Sequence, residues 1–189
     1  MEQQTLRLRK DHHWKASPGY AIFVLNRGDV RFDYPEDWVI QHEQGSVKFH
    51  DREPPQDNCV LEVSCGYLAP IDWSGLPLRF LLAATTEDLG ETLERKAIVE
   101  ERRGSLEIAW QETRFMDPRE KRPAISRALM GRDSGIQCLI TLAFWVDDEA
   151  RLDPVWSEVV RSLVLGWYVQ DPTRGPAGTG SVSIDEPDD

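Results

Sequence analysis

Several groups of residues in this chain carry chemistry by type and spacing. His12-His13 offers adjacent imidazoles, and Cys59, Cys65 and Cys138 offer thiols. Glu107 and Glu112 form a carboxylate pair, and Asp147-Asp148-Glu149 places three carboxylates in a row with Asp153 close behind. Arg27-Gly28-Asp29 matches an adhesion tripeptide. The stretch "VRFDYPEDW", residues 30–38, brings together three aromatics, a proline and three carboxylates.

Each group is weighed against what its chemistry needs. Adjacent histidines need further ligands to converge on one metal ion. His42 and His50 belong to one hairpin and point to opposite faces, which predicts solvated or rim positions. A nucleophilic thiol needs a lowered pKa and exposure. All three cysteines lie in apolar strand patterns, which predicts buried, inert thiols. The 147–149 carboxylates suit a divalent cation, and they suit equally the start of a helix, where acids are favoured. Glu107 and Glu112 are an odd number apart and so fall on opposite faces of an ideal strand. Without a secretory signal, "RGD" reads as a turn. The chain contains no Gly-x-Ser-x-Gly elbow, Gly-x-x-x-x-Gly-Lys loop, Gly-x-Gly-x-x-Gly turn or His-Glu-x-x-His pair. No residue is therefore assigned to catalysis, a cofactor or a metal.

Composition narrows the class further. The 189 residues are 40% hydrophobic and 29% charged, suited to one globular domain. The net charge of −11 opposes a phosphate-binding surface, so neither nucleic acid nor an anionic membrane is the expected partner. Three cysteines without a Cys-x-x-Cys pair predict reduced thiols. The N-terminus shows no apolar signal segment, and no run reaches the length of a membrane-spanning helix. A cytoplasmic location is the expectation.

The elements that would position these residues are mostly strands. Residues 1–18 form a polar lead-in, with a short strand around Leu6 and Leu8 and an exposed Trp14. "YAIFVLNRGDVRFDYP" predicts a hairpin turning at "NRGD". "WVIQHE" and "VKFHD" predict a second, with Val39 opposite His50, Ile40 opposite Phe49 and His42 opposite Val47. Trp38, Ile40, Val47 and Phe49 then share one face. In residues 30–38, Pro35 ends the strand, Trp38 turns inward, and the three carboxylates face solvent. "CVLEVSCGYL" is a further strand. "LPLRFLLAATTEDLGETLERKAIVEERRG" is helical in composition, with a break near Thr85-Thr86 and Gly90. "LEIAWQETRF" is a strand. "PAISRALM" and "GIQCLITLAFWV" predict a hairpin around Gly131–Ser134, the second strand central and covered on both faces. "DPVWSEVVRSLVLG" predicts a helix capped by Asp153, with Pro154 in its first turn and Gly166 as its stop. Val155, Trp156, Val159, Val160 and Leu163 form its apolar stripe. Residues 170–189, rich in Gly, Pro and acids, predict a disordered acidic tail.

Two signatures stand out in this order: Phe32-x-Tyr34-Pro35-x-x-Trp38 early, and a final apolar strand followed by a helix ending in "VVRSLVLG". Over about residues 20–168 the chain resembles the PsbP-like fold family. That family holds the extrinsic PsbP subunit of photosystem II, a Ran-binding nuclear-transport factor, and bacterial proteins including chaperones for type VI secretion effectors. The resemblance implies an α+β fold, an antiparallel sheet of about six strands flanked by helices as an α-β-α sandwich, spanning 19–169. It also implies binding and assembly rather than catalysis, and it carries over no contact residue.

The expected function is therefore a binding or assembly module acting on a protein partner, without a cofactor. Its candidate surface comprises Trp73 in the loop "IDWSGLP", a helical face over 86–103, and the acids Asp147, Asp148 and Glu149. The alternatives are an enzyme or small-ligand binder with a pocket between sheet and helix, and a metal-binding protein.

Overall fold

The computed structural model describes residues 9–85 and 91–175. The first hairpin forms as its turn signal requires. β1 (Tyr20–Leu25) and β2 (Val30–Pro35) pair antiparallel with Leu25 opposite Val30. Asn26, Arg27 and Gly28 all take positive φ, at 48°, 63° and 120°. Only glycine fits at position 28, because a Cβ there would stand 2.0 Å from the carbonyl oxygen of Trp167.

The second hairpin, β3 (Val39–His42) and β4 (Val47–His50), has the expected register, including Ile40 opposite Phe49. At the corner between the hairpins Trp38 is buried, while Glu36 and Asp37 are exposed. Asp33 departs from expectation: it is 1% exposed rather than solvent-facing. Its carboxylate meets Arg31 at 2.7 Å and its backbone N–H donates to Ser162 Oγ at 2.8 Å. The outer face of β2 is covered by the C-terminal helix, so alternation alone could not place this group in water. His50 is likewise buried, its Nδ1 2.9 Å from Asp57. The loop after β4 returns over it, a contact that hairpin register does not reveal.

β5 (Cys59–Tyr67) follows as expected, and then α1 (Leu78–Thr85). The predicted helix does not continue to residue 103. β6 (Glu91–Arg95) and β7 (Val99–Arg103) are strands, both lying along one edge of β8 (Leu106–Met116). Their Glu- and Arg-rich sequence has helical propensity, but the free hydrogen-bonding edge of β8 overrides it. An exposed edge strand tolerates charge on both faces. Of the residues expected to break the helix, Thr86 and Gly90 lie outside the described residues.

β9 (Pro123–Asp133) runs further than expected, β10 (Ile136–Trp145) falls within the expected segment, and the two turn at Ser134-Gly135 rather than around Gly131–Ser134. Both turn residues have positive φ, 49° and 74°, as a two-residue hairpin requires. Gly131 belongs inside β9, where Cys138 Sγ would lie 3.1 Å from an added Cβ and Leu165 Cδ1 3.3 Å. β10 is central, between β5 and β9, but only one face is fully buried. Cys138, Ile140, Leu142 and Phe144 are buried, whereas Ala143 is exposed.

The last helix, α2 (Glu149–Ser162), starts earlier than expected because a 3-10 turn at residues 146–148 leads directly into it. Asp148 stands at the N-cap and Pro154 lies inside the helix. Asp153 instead turns to the sheet. The helix also ends before Gly166, since β11 (Val164–Leu165) leaves it to pair with β2.

Among the described residues the strands form two antiparallel sheets. The larger has eight strands, running β3-β4-β5-β10-β9-β8 with β6 and β7 sharing the last edge, and the smaller runs β1-β2-β11. The α+β class holds, with more strands than the six expected. The main core joins Phe23 and Phe32 of the small sheet, Leu61 and Ile140 of the large one, and Leu152, Trp156 and Val159 of α2. On the opposite face a separate cluster sets Leu78 and Leu82 of α1 on Ala109, Ala128 and Met130. Trp14 is buried rather than exposed: its Nε1 donates to the Pro172 carbonyl at 2.8 Å. The strand predicted around Leu6 and Leu8, and the tail beyond residue 175, lie outside the described residues.

Candidate functional site

A cleft of about 720 Å³ opens between α2 and the edge formed by β7, β8 and β9. Strand pairing determines what lines it. Trp110 and Glu112 share one face of β8, and Glu112 stands directly opposite Arg127 of β9. α2 lays Asp153, Trp156 and Val160 against that face. Trp110 and Trp156 meet edge to face, with centroids 5.7 Å apart at 67°.

The charges in the cleft form a chain. Lys96, between β6 and β7, reaches Glu112 Oε1 at 2.6 Å. Arg127 Nε donates to Glu112 Oε2 at 2.8 Å, and its Nη2 donates to Asp153 Oδ1 at 2.5 Å. Arg103 of β7 donates to the carbonyls of Val160 and Arg161 at 2.6 and 2.7 Å, where the helix dipole favours a cation. The Glu112 carboxylate is 2% exposed. Burial alone would raise its pKa, but the hydrogen bonds from Lys96 and Arg127 outweigh burial and hold it below the usual carboxylate value. Arg127 also lies over the Phe144 ring, 5.2 Å from its centroid. This arrangement holds charge in fixed places, and each carboxylate named here is already matched by a cation.

Glu107 faces the other side of the sheet, as expected, paired with Arg132 at 2.6 Å and Arg102 at 3.1 Å. Burial pushes the Cys59 and Cys138 thiols up to about 12, and Cys65 is raised by the same cause. Such thiols stay protonated at neutral pH. His12 and His13 are exposed. No group of three metal-ligating side chains occurs among the described residues.

The candidate surface residues separate. Tyr67 pairs with Ile136 and Cys59 with Phe144, so β5 and β10 run the length of the sheet. The Trp73 loop leaves the Tyr67 end, whereas Asp147, Asp148 and Glu149 follow Trp145 at the other. Trp73 is half-buried, its Nε1 donating to Ala69 O at 2.9 Å. Each acid holds an arginine: Asp147 with Arg122 at 2.9 Å, Asp148 with Arg151 at 2.9 Å, and Glu149 with Arg114 at 2.5 Å. The 86–103 segment offers edge strands where a helical face was expected.

A group not foreseen from the sequence sits at the Tyr67 end. Tyr67, Trp167 and Tyr168 are 75%, 46% and 66% exposed. The Asn26–Asp29 turn gathers them. Tyr67 Oη donates to Asp29 Oδ2 at 2.6 Å, Gly166 N donates to Asp29 O at 3.1 Å, and Val169 N donates to Arg27 O at 2.8 Å. Arg127 and Glu112 were also missed as a pair, although a signal was present. A charge inside an apolar strand pattern must find a buried partner.

A family model, Alr1449, matches residues 21–169. The chain belongs to the Alr1449 family. It is 46% identical over 177 residues to the uncharacterized protein alr1449 of Nostoc sp. strain PCC 7120, covering 93% of this chain and 92% of that one. Among solved structures it is similar to LpqN of Mycobacterium tuberculosis, with TM-score 0.56, 11% identity, and 77% of this chain and 89% of that one covered. It is similar to cyanobacterial PsbP from Synechocystis sp. PCC 6803, with TM-score 0.51, 14% identity, and 79% and 94% covered. A Bacteroides thetaiotaomicron protein matches with TM-score 0.54 and 15% identity over 76% of this chain, which spans only 47% of that protein. The fold is PsbP-like. No helix among the described residues is long and apolar enough to cross a membrane.

Proposed function

We propose that this member of the Alr1449 family is a binding and assembly module that meets a protein partner at the Tyr67–Trp167–Tyr168 end. The observation that carries this reading is the exposure of three large aromatics on a backbone fixed by the Asn26–Asp29 turn. Rigid Trp and Tyr side chains are the residue types that dominate binding energy at interfaces. The loop carrying Trp73, with exposed Ile71 and Leu76, leaves the same end and extends the surface. Two cysteine thiols raised to about 12 and carboxylates matched to cations support binding over catalysis. The three free cysteines support a reducing, cytoplasmic location. Chaperoning of a secreted effector is one form that such an assembly role takes.

The test is a photo-crosslinking amino acid placed at Tyr168 in cells expressing the full chain. A discrete adduct is expected, and Tyr67→Ala should weaken it by at least fivefold. The same group at Glu36, an exposed corner residue, should give none. Equal labelling from both positions, or no adduct from Tyr168, overturns the assignment.

A further inference from the structure

Strand register sets two of the three cysteines side by side. Cys65 of β5 stands directly opposite Cys138 of β10. Directly opposed residues share one face of a sheet. Here that face is the main core, with Cys138 buried in it and Cys65 half-buried at its margin. Cys59, at the other end of β5, stands opposite Phe144 instead.

The hydrogen-bond pattern sets how close the pair lies. Just beyond β5, Leu68 N donates to Gly135 O at 2.8 Å. Bonded and non-bonded pairs alternate along an antiparallel ladder. Gly66 and Gln137 therefore form the next bonded pair, and Cys65 and Cys138 fall at a non-bonded position. Opposed Cα atoms at such a position stand about 4.5 Å apart, inside the window of roughly 4.4–6.8 Å that a disulfide spans. Cys138 Sγ rests over Gly131 of β9, 3.1 Å from where a Cβ would stand. Closing a bond to Cys65 takes one rotation of Cys138 about Cα–Cβ, between staggered rotamers, and no change of strand register.

We propose that Cys65 and Cys138 are a reversible redox pair, closing a disulfide between β5 and β10 in the folded protein with a low-molecular-weight disulfide as oxidant. Cys65, the more exposed of the two, loses its proton to water, and its sulfur attacks the reagent. A mixed disulfide forms and one reagent thiol leaves. Cys138 then gives up its proton and attacks the Cys65 sulfur, expelling the second reagent thiol. The two electrons lost by the cysteines end on the two reagent thiols. Burial raises both thiols, Cys138 to about 12, and Asp29 adds to the rise at Cys65. The exchange is therefore slow at neutral pH. The pair does not depend on the partner reading at the Tyr67 end.

The experiment incubates the reduced full chain with bis(2-hydroxyethyl) disulfide at about pH 8.5, where more thiolate is present. Remaining thiols are then blocked, and the unreduced digest is mapped by mass spectrometry. One linked peptide pair, Cys65 with Cys138, is expected. It should form while tryptophan fluorescence stays that of the folded protein, and dithiothreitol should reverse it. Cys59→Ala should close at the wild-type rate. Cys138→Ala should stop at a mixed disulfide on Cys65. In Cys65→Ala, reagent should reach Cys138 at least about tenfold more slowly than it reaches Cys65 in the wild type, because burial blocks access. A mixed disulfide that persists on wild-type Cys65 would overturn the proposal. So would a bond to Cys59, or closure that occurs only in urea. The wild-type map needs no variant, so a substitution that fails to fold leaves the test intact.

Discussion

Two buried carboxylates show that the balance between burial and neighbouring cations decides what an acid does. Glu112 sits between Lys96 and Arg127, and their hydrogen bonds outweigh burial and lower its pKa. Asp33 has Arg31 beside it, but burial dominates, nearby Glu158 adds to it, and its pKa is raised. The linkage signs are therefore opposite. Stability contributed by ionised Glu112 is present above its ordinary value of 4.5 and is lost as pH falls through its lower folded value. Glu112→Gln should cost about 3 kcal/mol at pH 7, the scale for unpairing a buried charge. Urea unfolding of both proteins should show that difference shrinking as pH is taken below 4.5. A constant difference would mean that Glu112 acts by shape alone. For Asp33 the folded pKa lies above the ordinary 3.8, so its contribution is full below 3.8 and is lost as pH rises through the folded value. Arg31 keeps the carbonyls of Ser162 and Lys15 as acceptors at 2.8 and 3.3 Å without it. Asp33→Asn should therefore cost less than about 1 kcal/mol at pH 7, within the range of mild substitutions. Relative to wild type it should improve as pH rises from 3 to 7, and the same urea series checks this.

At the scale of elements, turns carry more information than propensities. Gly28 is the sharpest case. Its φ of 120° and the 2.0 Å approach of Trp167 O to an added Cβ mean that Gly28→Ala must displace backbone. It should cost about 3 kcal/mol. Gly45→Ala, at φ 94° with nothing within 4 Å, should cost about 1–2 kcal/mol. Thermal unfolding of the two variants decides between them, and equal losses would show that φ, not the Trp167 contact, sets the cost. The turn at Asn26–Asp29 and the β3–β4 register were legible because positive-φ residues and period-two alternation are local signals. Residues 91–103 were not legible as strands, because only the open edge of β8, distant in sequence, makes strands of "ETLER" and "VEERR". The start of α2 was hidden for a related reason: Asp153 has the chemistry of a cap, yet Arg127 claims it. The cleft was unreadable in turn, since it is assembled from β7, β8, β9 and α2, and β7 was read as helix. The signal that pointed to it, a charge in each of two strand patterns at Glu112 and Arg127, acquires meaning only once β8 and β9 are paired.

At the scale of the whole molecule, the two hydrophobic clusters lie on opposite faces of one sheet and differ in how many elements they tie together. The main cluster joins both sheets and α2, so none of those parts can leave without exposing the others. It should unfold as one unit, with far-ultraviolet circular dichroism and tryptophan fluorescence giving coincident urea transitions. The cluster under α1 rests on Leu78 and Leu82 over three residues of β8 and β9. α1 is also short, at eight residues, and carries exposed Phe80 on its outer side. A helix of that length owes its stability to packing rather than propensity. Local opening of α1 should therefore be cheaper than global unfolding. Native-state hydrogen exchange should show the amides of residues 82–85 exchanging through a low-energy opening that does not depend on urea. The amides of residues 155–162 in α2 should exchange only with global unfolding. Leu82→Ala should deepen the contrast, speeding exchange in α1 while leaving α2 protection relative to global stability unchanged. If both helices exchange at the global free energy, the faces of the sheet are coupled through the strands, and α1 belongs to the same cooperative unit as the main core.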